Sequence, residues 1–399
     1  MWFGGPKGRV SGDLKKRVSR NNKVRVAMER RKFLSCLIAT LAFTTVSATA
    51  FAEGDDDEAG ATVLKMRTMA PAGSLWAKQF KEWKETLKDK SGKKLVLKWT
   101  WNGGGRDEKA MVNDLKSGTL DGAAMTSVGL SSFVKDMLIF NLPGLFDSWD
   151  DLDKVRVNEM GYFQKEFEKQ DMILAGTGDV GKGRLMGTSD RWNDEVWRPA
   201  NLQNKALACV EADVIGPKLL EIQGASCTPV GINEIGSKLG TSITVLNTPS
   251  YAALQLGWSK KVRFVLKGLV PYYSIGGIVF SKKAVDGLSD ELKTALLDSA
   301  KERGQALTKA VRAADNSAYD QIARKCEERV KKEENKGTDG GPTTGTYDIA
   351  ARKDDDDDTK SRKAEIRGQW ADLFKKTREA LRGEFSSDMY DRVVTGRGK

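Results

Sequence analysis

Apolar positions along the chain recur with two different periods. Val63–Met69 reads as a strand, and Ala70-Pro71-Ala72-Gly73-Ser74 follows as a turn with Ser74 placed to cap a helix. Trp76, Phe80, Trp83 and Leu87 then recur at spacings of four, three and four, the signature of one apolar helix face. Leu95, Leu97, Trp99 and Trp101 alternate with Val96, Lys98 and Thr100, as in a half-buried strand. Gly103-Gly104-Gly105 opens a helix that carries Met111 and Leu115 and stops near Gly118. Leu120–Ala124 is a short strand, and Asn141–Phe146 an apolar loop. Strands and helices alternating in this way predict α/β layers with largely parallel pairing.

The rhythm continues through the middle of the chain. Asp171–Gly176 and Gly183–Thr188 read as extended, Lys205–Val210 as a strand, Asp213–Gln223 as a helix and Ala225–Pro229 as the next strand. Ile243–Leu246 and Lys261–Val265 are further strands, and Tyr272–Ser281 is a long apolar strand interrupted at Gly276-Gly277. Leu292, Leu296, Ala300, Leu307, Val311, Ala314, Ala318 and Ile322 mark one helix of about 40 residues, ~60 Å long at about 1.5 Å per residue. A helix of that length outruns one domain and braces two. Residues 331–361, with their glycines and the run Asp354–Asp358, read as a solvated, mobile insertion, since a bare Asp run lacks a turn to wrap a metal. Ile366, Trp370, Leu373, Thr377 and Leu381 form a last amphipathic helix, docked on the body.

Two features change the picture. Residues 28–52 pair Arg30-Arg31-Lys32 with an apolar run and end on Ala50-Phe51-Ala52, which reads as an export signal of general secretory or twin-arginine type, with Met28 a candidate start. An uncleaved anchor is the alternative, but Ser and Thr scattered through the run make a poor permanent span. The formal net charge of +11 resides mostly there: residues 1–52 carry 11 Lys and Arg against two acids, leaving 55 against 53 for the rest. A near-neutral body lacks the basic footprint that phosphate binding needs. After export three cysteines remain, Cys209, Cys227 and Cys326. Neighbouring parallel strands rarely offer disulfide geometry, so three unpaired thiols are expected and a Cys209–Cys227 bridge is the alternative.

The chain has no histidine, which removes His triads, imidazole proton shuttles and His-ligated metals. No Ser, Cys or Lys has a visible base partner, and the acids show no metal-ligand spacing, so neither a catalytic constellation nor a cofactor is expected. Gly176-Thr177-Gly178-Asp179-Val180-Gly181 matches a dinucleotide fingerprint by spacing, yet no helix start follows to hold a pyrophosphate. A Gly-rich hinge between two lobes accounts for it better. Asn102–Glu108 joins a strand end, a Gly loop and a helix start; its backbone N–H groups could hold a polar ligand, or it is a tight turn with Arg106 paired to nearby acids.

With these pieces in order, Val63–Ala323 resembles the solute-binding subunit of TRAP transporters, the DctP type. Ala70–Trp76, Gly103–Glu108, Leu115–Ala124, Asn141–Phe146, Tyr273–Lys283 and Leu288–Leu292 carry the resemblance. It implies a two-lobed α/β clamp that shuts on a solute and hands it to DctQ- and DctM-type membrane subunits in the periplasm, with no nucleic acid and no membrane span of its own once the signal is removed. The implied organisation is a leader at 1–52, lobe 1 at 62–179 with 272–312 returning to it, lobe 2 at 180–271, the end of the bracing helix at 313–330, the insertion at 331–361 and a C-terminal helix at 362–399. The family's usual ligand-pairing Arg in the lobe 2 strand is replaced here by Ala208. This looks like a branch suited to an organic acid with much apolar surface or to a neutral apolar solute. Its cleft is expected to be lined by Ser74, Trp76, Asn102, Arg106, Thr126, Ser127, Arg184, Asn247, Tyr251 and Tyr273. A ligand-sensing subunit for a membrane receptor has the same fold, and an exported carboxylate enzyme is the remaining rival.

Overall fold

The computed structural model describes residues 60–188, 198–203, 205–210, 212–225, 227–334 and 345–396. The leader expected at 28–52 and Cys36 lie outside the described residues. Three parallel strands open the fold: β1 (Thr62–Thr68), β2 (Leu95–Thr100) and β3 (Gly122–Thr126), with β1 between the other two. Helix α1 (Leu75–Lys90) lies between β1 and β2 and buries Ala77, Phe80, Trp83 and Leu87, the last three from the predicted stripe, whose fourth member Trp76 is half-buried. Ser74 caps it, its Oγ accepting from Ala77 N at 3.2 Å. Helix α2 (Glu108–Lys116) is capped by Asp107, and a four-residue turn α3 (Ser127–Leu130) follows β3. Helix α4 (Trp149–Glu168) covers the other face of the sheet with Leu152, Phe163 and Phe167.

One strand runs through both halves of the sheet. β4 (Met172–Gly187) pairs antiparallel with β9 (Tyr273–Ser281) over Met172–Lys182, and with β7 (Val245–Pro249) over Gly183–Gly187. β9 also pairs antiparallel with β3, which closes the first lobe. The second lobe adds β5 (Leu207–Val210), α5 (Ile215–Ile222), β6 (Cys227–Val230), α6 (Ile232–Lys238), α7 (Ser250–Gln255) and β8 (Phe264–Lys267). The main strand order is β2-β1-β3-β9-β4-β7-β5-β6, with β8 branching from β4. After the short α8 (Lys282–Asp286), helix α9 runs from Asp290 to Glu334, 45 residues, and contacts α1, β4, α7 and β8. The expected two-lobed α/β body with a bracing helix is present.

Three local expectations change. The Gly-rich stretch at 176–182 is an integral part of β4. A Cβ on Gly176 would meet Ala300 O of α9 at 2.8 Å, and one on Gly304 of α9 would meet Thr177 O at 2.3 Å. These glycines let the helix backbone press on the strand, and β4 bulges on both sides of them. Gly276-Gly277 likewise causes no interruption of β9; a Cβ on Gly276 would meet Met125 O at 2.5 Å. The unpaired state expected of Cys209 and Cys227 is corrected, because they form a disulfide with a Cα–Cα distance of 6.0 Å. The register sets Leu207 opposite Cys227, so the two cysteines meet diagonally across β5 and β6 at the sheet edge. Cys326 is a buried free thiol.

The segment expected as a mobile insertion holds ordered elements on both sides of residues 335–344, which lie outside the described residues. Helix α9 continues to Glu334, and β10 (Thr346–Asp348) pairs parallel with β8. The Asp run starts helix α10 (Asp357–Ala380): Asp356 caps it by accepting from Thr359 N at 2.6 Å, and Asp357 and Asp358 occupy its first turn, where carboxylates oppose the helix dipole. α10 packs Ile366, Trp370, Leu373 and Phe374 on the second lobe. The chain then crosses to the first lobe, where Phe385, Met389 and Tyr390, the last two in the turn α11 (Ser387–Tyr390), join the core of α4. Residues 362–396 are thus a helix followed by a return segment.

Candidate functional site

Where the ends of β1 and β3 face β5, β7 and α5, the molecule contains a cavity of about 290 Å³. The first lobe contributes Thr68–Pro71, Trp76, Phe80, Glu108 and Thr126. The second contributes Leu207–Val210, Asp213, Leu219, Ile232 and Leu246–Pro249. Gly178, Asp179 and Val180 of β4, Tyr272 just before β9, and Ser274 and Gly276 of β9 form the wall between them. Met, Trp, Phe, Leu, Ile and Val side chains make it an apolar chamber with a few polar groups, the general character of a small-molecule site.

Its acids are already engaged. Glu108 is buried, and its two oxygens accept from Thr126 N at 2.7 Å and Thr126 Oγ1 at 2.6 Å. Burial pushes its carboxyl up to about 7, held back by the Thr126 hydrogen bonds and raised further by Asp107. Asp213 starts α5, accepting from Ile215 N at 2.9 Å and Gly216 N at 3.2 Å, and burial raises its pKa. Asp179 has a fully buried side chain that pairs with Arg156 of α4 and, at 2.5 Å, with Nε of Arg312 on α9. Arg312 in turn grips Asp153 through both terminal nitrogens at 2.9 and 2.7 Å. Tyr272 donates to Asn247 O at 3.2 Å, and burial raises its phenol pKa. The side-chain oxygen of Asn247 is buried without a partner.

Of the residues expected in the cleft, Trp76, Thr126 and Asn247 line this cavity. Ser74 is the buried cap of α1. Tyr251 joins the lobes: its hydroxyl accepts from Leu75 N at 2.8 Å, its ring meets Trp76 edge-on at 4.8 Å, and its own N–H donates to Asp315 of α9 at 2.9 Å. Ser127 is buried and donates to Asn141 Oδ1 at 2.7 Å. Asn102 has φ 54 and opens a tight turn in which Gly103, Gly104 and Gly105 also have positive φ. Arg106 pairs with Asp114 at 2.8 Å, which Arg67 also holds. Arg184 lies 4.5 Å over the Tyr319 ring and donates to Leu269 O at 3.2 Å. Tyr273 donates to Asp147 O at 3.0 Å and packs edge-on to Trp149.

Glu108, Asp213 and Tyr272 were missed by the sequence reading. Glu108 sits beside the cap Asp107, where a helix start is an ordinary place for an acid. Tyr272 adjoins Tyr273, and neighbouring strand residues face opposite sides, so one of the pair had to point elsewhere. Among the described residues no group of three or more acids and cysteines is arranged to hold a metal, and no helix is long and apolar enough to cross a membrane.

An α/β body whose two lobes enclose an apolar chamber, with one strand running through both and one helix bracing them, has the architecture of a solute-binding clamp. Residues 66–336 match the family described as bacterial extracellular solute-binding protein, family 7 (DctP), and the chain belongs to that family. Among solved structures it is similar to a TRAP periplasmic solute-binding protein from a Sulfitobacter species, solved with β-D-galacturonate: 14% identity, TM-score 0.66, covering 84% of this chain and 100% of that one. The sugar-acid-binding protein of Advenella mimigardefordensis, in complex with galactonate, matches at 16% identity and TM-score 0.67, covering 84% and 97%. A TRAP periplasmic solute-binding protein from Ochrobactrum anthropi, solved with the C-terminus bound in the ligand-binding pocket, matches at 18% identity and TM-score 0.63, covering 85% and 96%. No curated protein matches the chain.

Proposed function

We propose that this protein is a periplasmic receptor that captures an organic acid or an apolar solute between its lobes. It then delivers the solute to DctQ- and DctM-type membrane subunits of a TRAP-type secondary transporter. The observation that carries the reading is the apolar cavity of about 290 Å³ to which both lobes contribute walls. A ligand held by both lobes favours the closed arrangement by its differential contacts, and a closed surface is what a membrane partner can recognise. The solved relatives with bound sugar acids support the capture of a small organic molecule. The acids lining the chamber are tied to helix starts and guanidinium groups, which supports binding without turnover. Trp76, Thr126 and Asn247 are assigned to the ligand site, and Tyr251 to the contact between the lobes.

The test is isothermal titration calorimetry on the full chain with compounds that raise its melting temperature, followed by mass spectrometry of the recovered compound. Saturable one-to-one binding with the compound recovered unchanged is the expected result. Conversion of the compound, or no binding by any small molecule, contradicts the proposal.

A further inference from the structure

We infer that the cavity selects an uncharged solute, an apolar body carrying a polar group such as an amide, alcohol or phenol, over a carboxylate. The inference rests on the receptor reading and narrows it by charge.

Among the described residues no Lys or Arg lines the chamber, whereas Glu108, Asp179 and Asp213 do. The cations that come near are engaged outside it. Arg184 stacks on Tyr319 and holds Leu269 O, and Arg67 and Arg106 share Asp114. The Lys182 ammonium lies 5.7 and 5.9 Å from the ring centres of Trp149 and Tyr273, neither of which lines the cavity. Arg156 and Arg312 neutralise Asp179. A ligand carboxylate would therefore give up its hydration beside three acids with no cation to replace it.

Both oxygens of Asp179 take guanidinium groups, both of Asp213 take backbone N–H groups, and both of Glu108 take donors from Thr126. Two other polar groups in the wall have partners: Asn141 Oδ1 accepts from Ser127, and the Tyr272 hydroxyl donates to Asn247 O. The Asn247 side-chain oxygen is buried without a partner, and the Thr248 and Ser274 side chains also line the chamber. A ligand polar group hydrogen-bonded to the Asn247 amide, with an apolar body against Met69, Trp76, Phe80 and Leu219, matches this lining.

The test is a thermal-shift and calorimetric screen of the full chain against a library of aromatic and aliphatic skeletons. Each skeleton is present as carboxylate, primary amide, alcohol and amine; indole-3-acetate, indole-3-acetamide, tryptophol and tryptamine form one such set. In every set that binds, the amide or alcohol is expected to bind tighter than the acid by roughly a hundredfold or more. Asn247→Ala is expected to weaken the best uncharged binder about tenfold. An acid that matches or exceeds its amide overturns the inference while leaving the receptor reading intact, and an unchanged affinity in N247A removes Asn247 as the polar anchor. Failure of every skeleton in all four forms counts against the receptor reading itself.

Discussion

Replacing Glu108 with Gln tests how burial shapes the cavity wall. The carboxyl is buried and its ordinary value near 4.5 rises to about 7. In the unfolded chain it ionises near 4.5, so between 4.5 and about 7 the unfolded state carries fewer protons than the folded one. Stability contributed by this group is therefore full below pH 4.5, falls as pH rises through that window and is flat above it. The interval corresponds to about 3 kcal/mol. Glutamine is isosteric, stays neutral, and can still accept from Thr126 N while its amide meets Thr126 Oγ1, so it keeps the geometry without the ionisation. Urea denaturation at pH 5, 6, 7 and 8 should give nearly equal midpoints for wild type and E108Q at pH 5. The variant should gain progressively until it leads by about 3 kcal/mol at pH 8. Asp213 and Asp315 also have raised values, but they act in both proteins and cancel in the difference. Parallel pH profiles would refute the reasoning.

Three further outcomes are expected. Gly304→Ala drives a Cβ onto Thr177 O at 2.3 Å, and lifting α9 off β4 should cost about 2 kcal/mol net of the helix-propensity gain, read as a lower melting temperature; an unchanged or raised value contradicts the close approach. Reducing the Cys209–Cys227 bridge, or replacing both cysteines with Ser, opens a link of sequence separation 18 and should cost about 3 kcal/mol in chemical denaturation; a midpoint indifferent to reductant argues against it. Tyr251→Phe deprives Leu75 N of its acceptor across the lobes, and calorimetry should show about fivefold weaker solute binding, about 1 kcal/mol. Undiminished affinity would mean that this contact does not hold the lobes together.

The periodic parts of the chain were legible because burial repeats. The stripe Trp76–Leu87 is the face of α1 that packs inward, and Leu292–Ile322 is the face of a helix that spans both lobes. What the sequence could not show depends on neighbours distant along the chain. Gly176 and Gly178 read as a hinge, whereas their lack of a side chain, together with that of Gly304, brings two backbones together. Cys209 and Cys227 looked mismatched because register, which no local pattern reveals, sets them diagonally. Arg184 and Arg106 drew attention as charged residues near a cleft, yet their partners, Tyr319 with Leu269 and Asp114, come from elements that spacing does not link to them. Three of the ten expected cleft residues line the cavity because a polar residue at a strand end can face the chamber, cap a helix or tie a loop, and only packing decides which.

The most direct test of the account is a crystal structure of the protein grown with its tightest-binding solute. The account predicts density for an intact molecule between Trp76 and Thr126 of the first lobe and Asn247 of the second. Density elsewhere, with this chamber filled only by water, would contradict it.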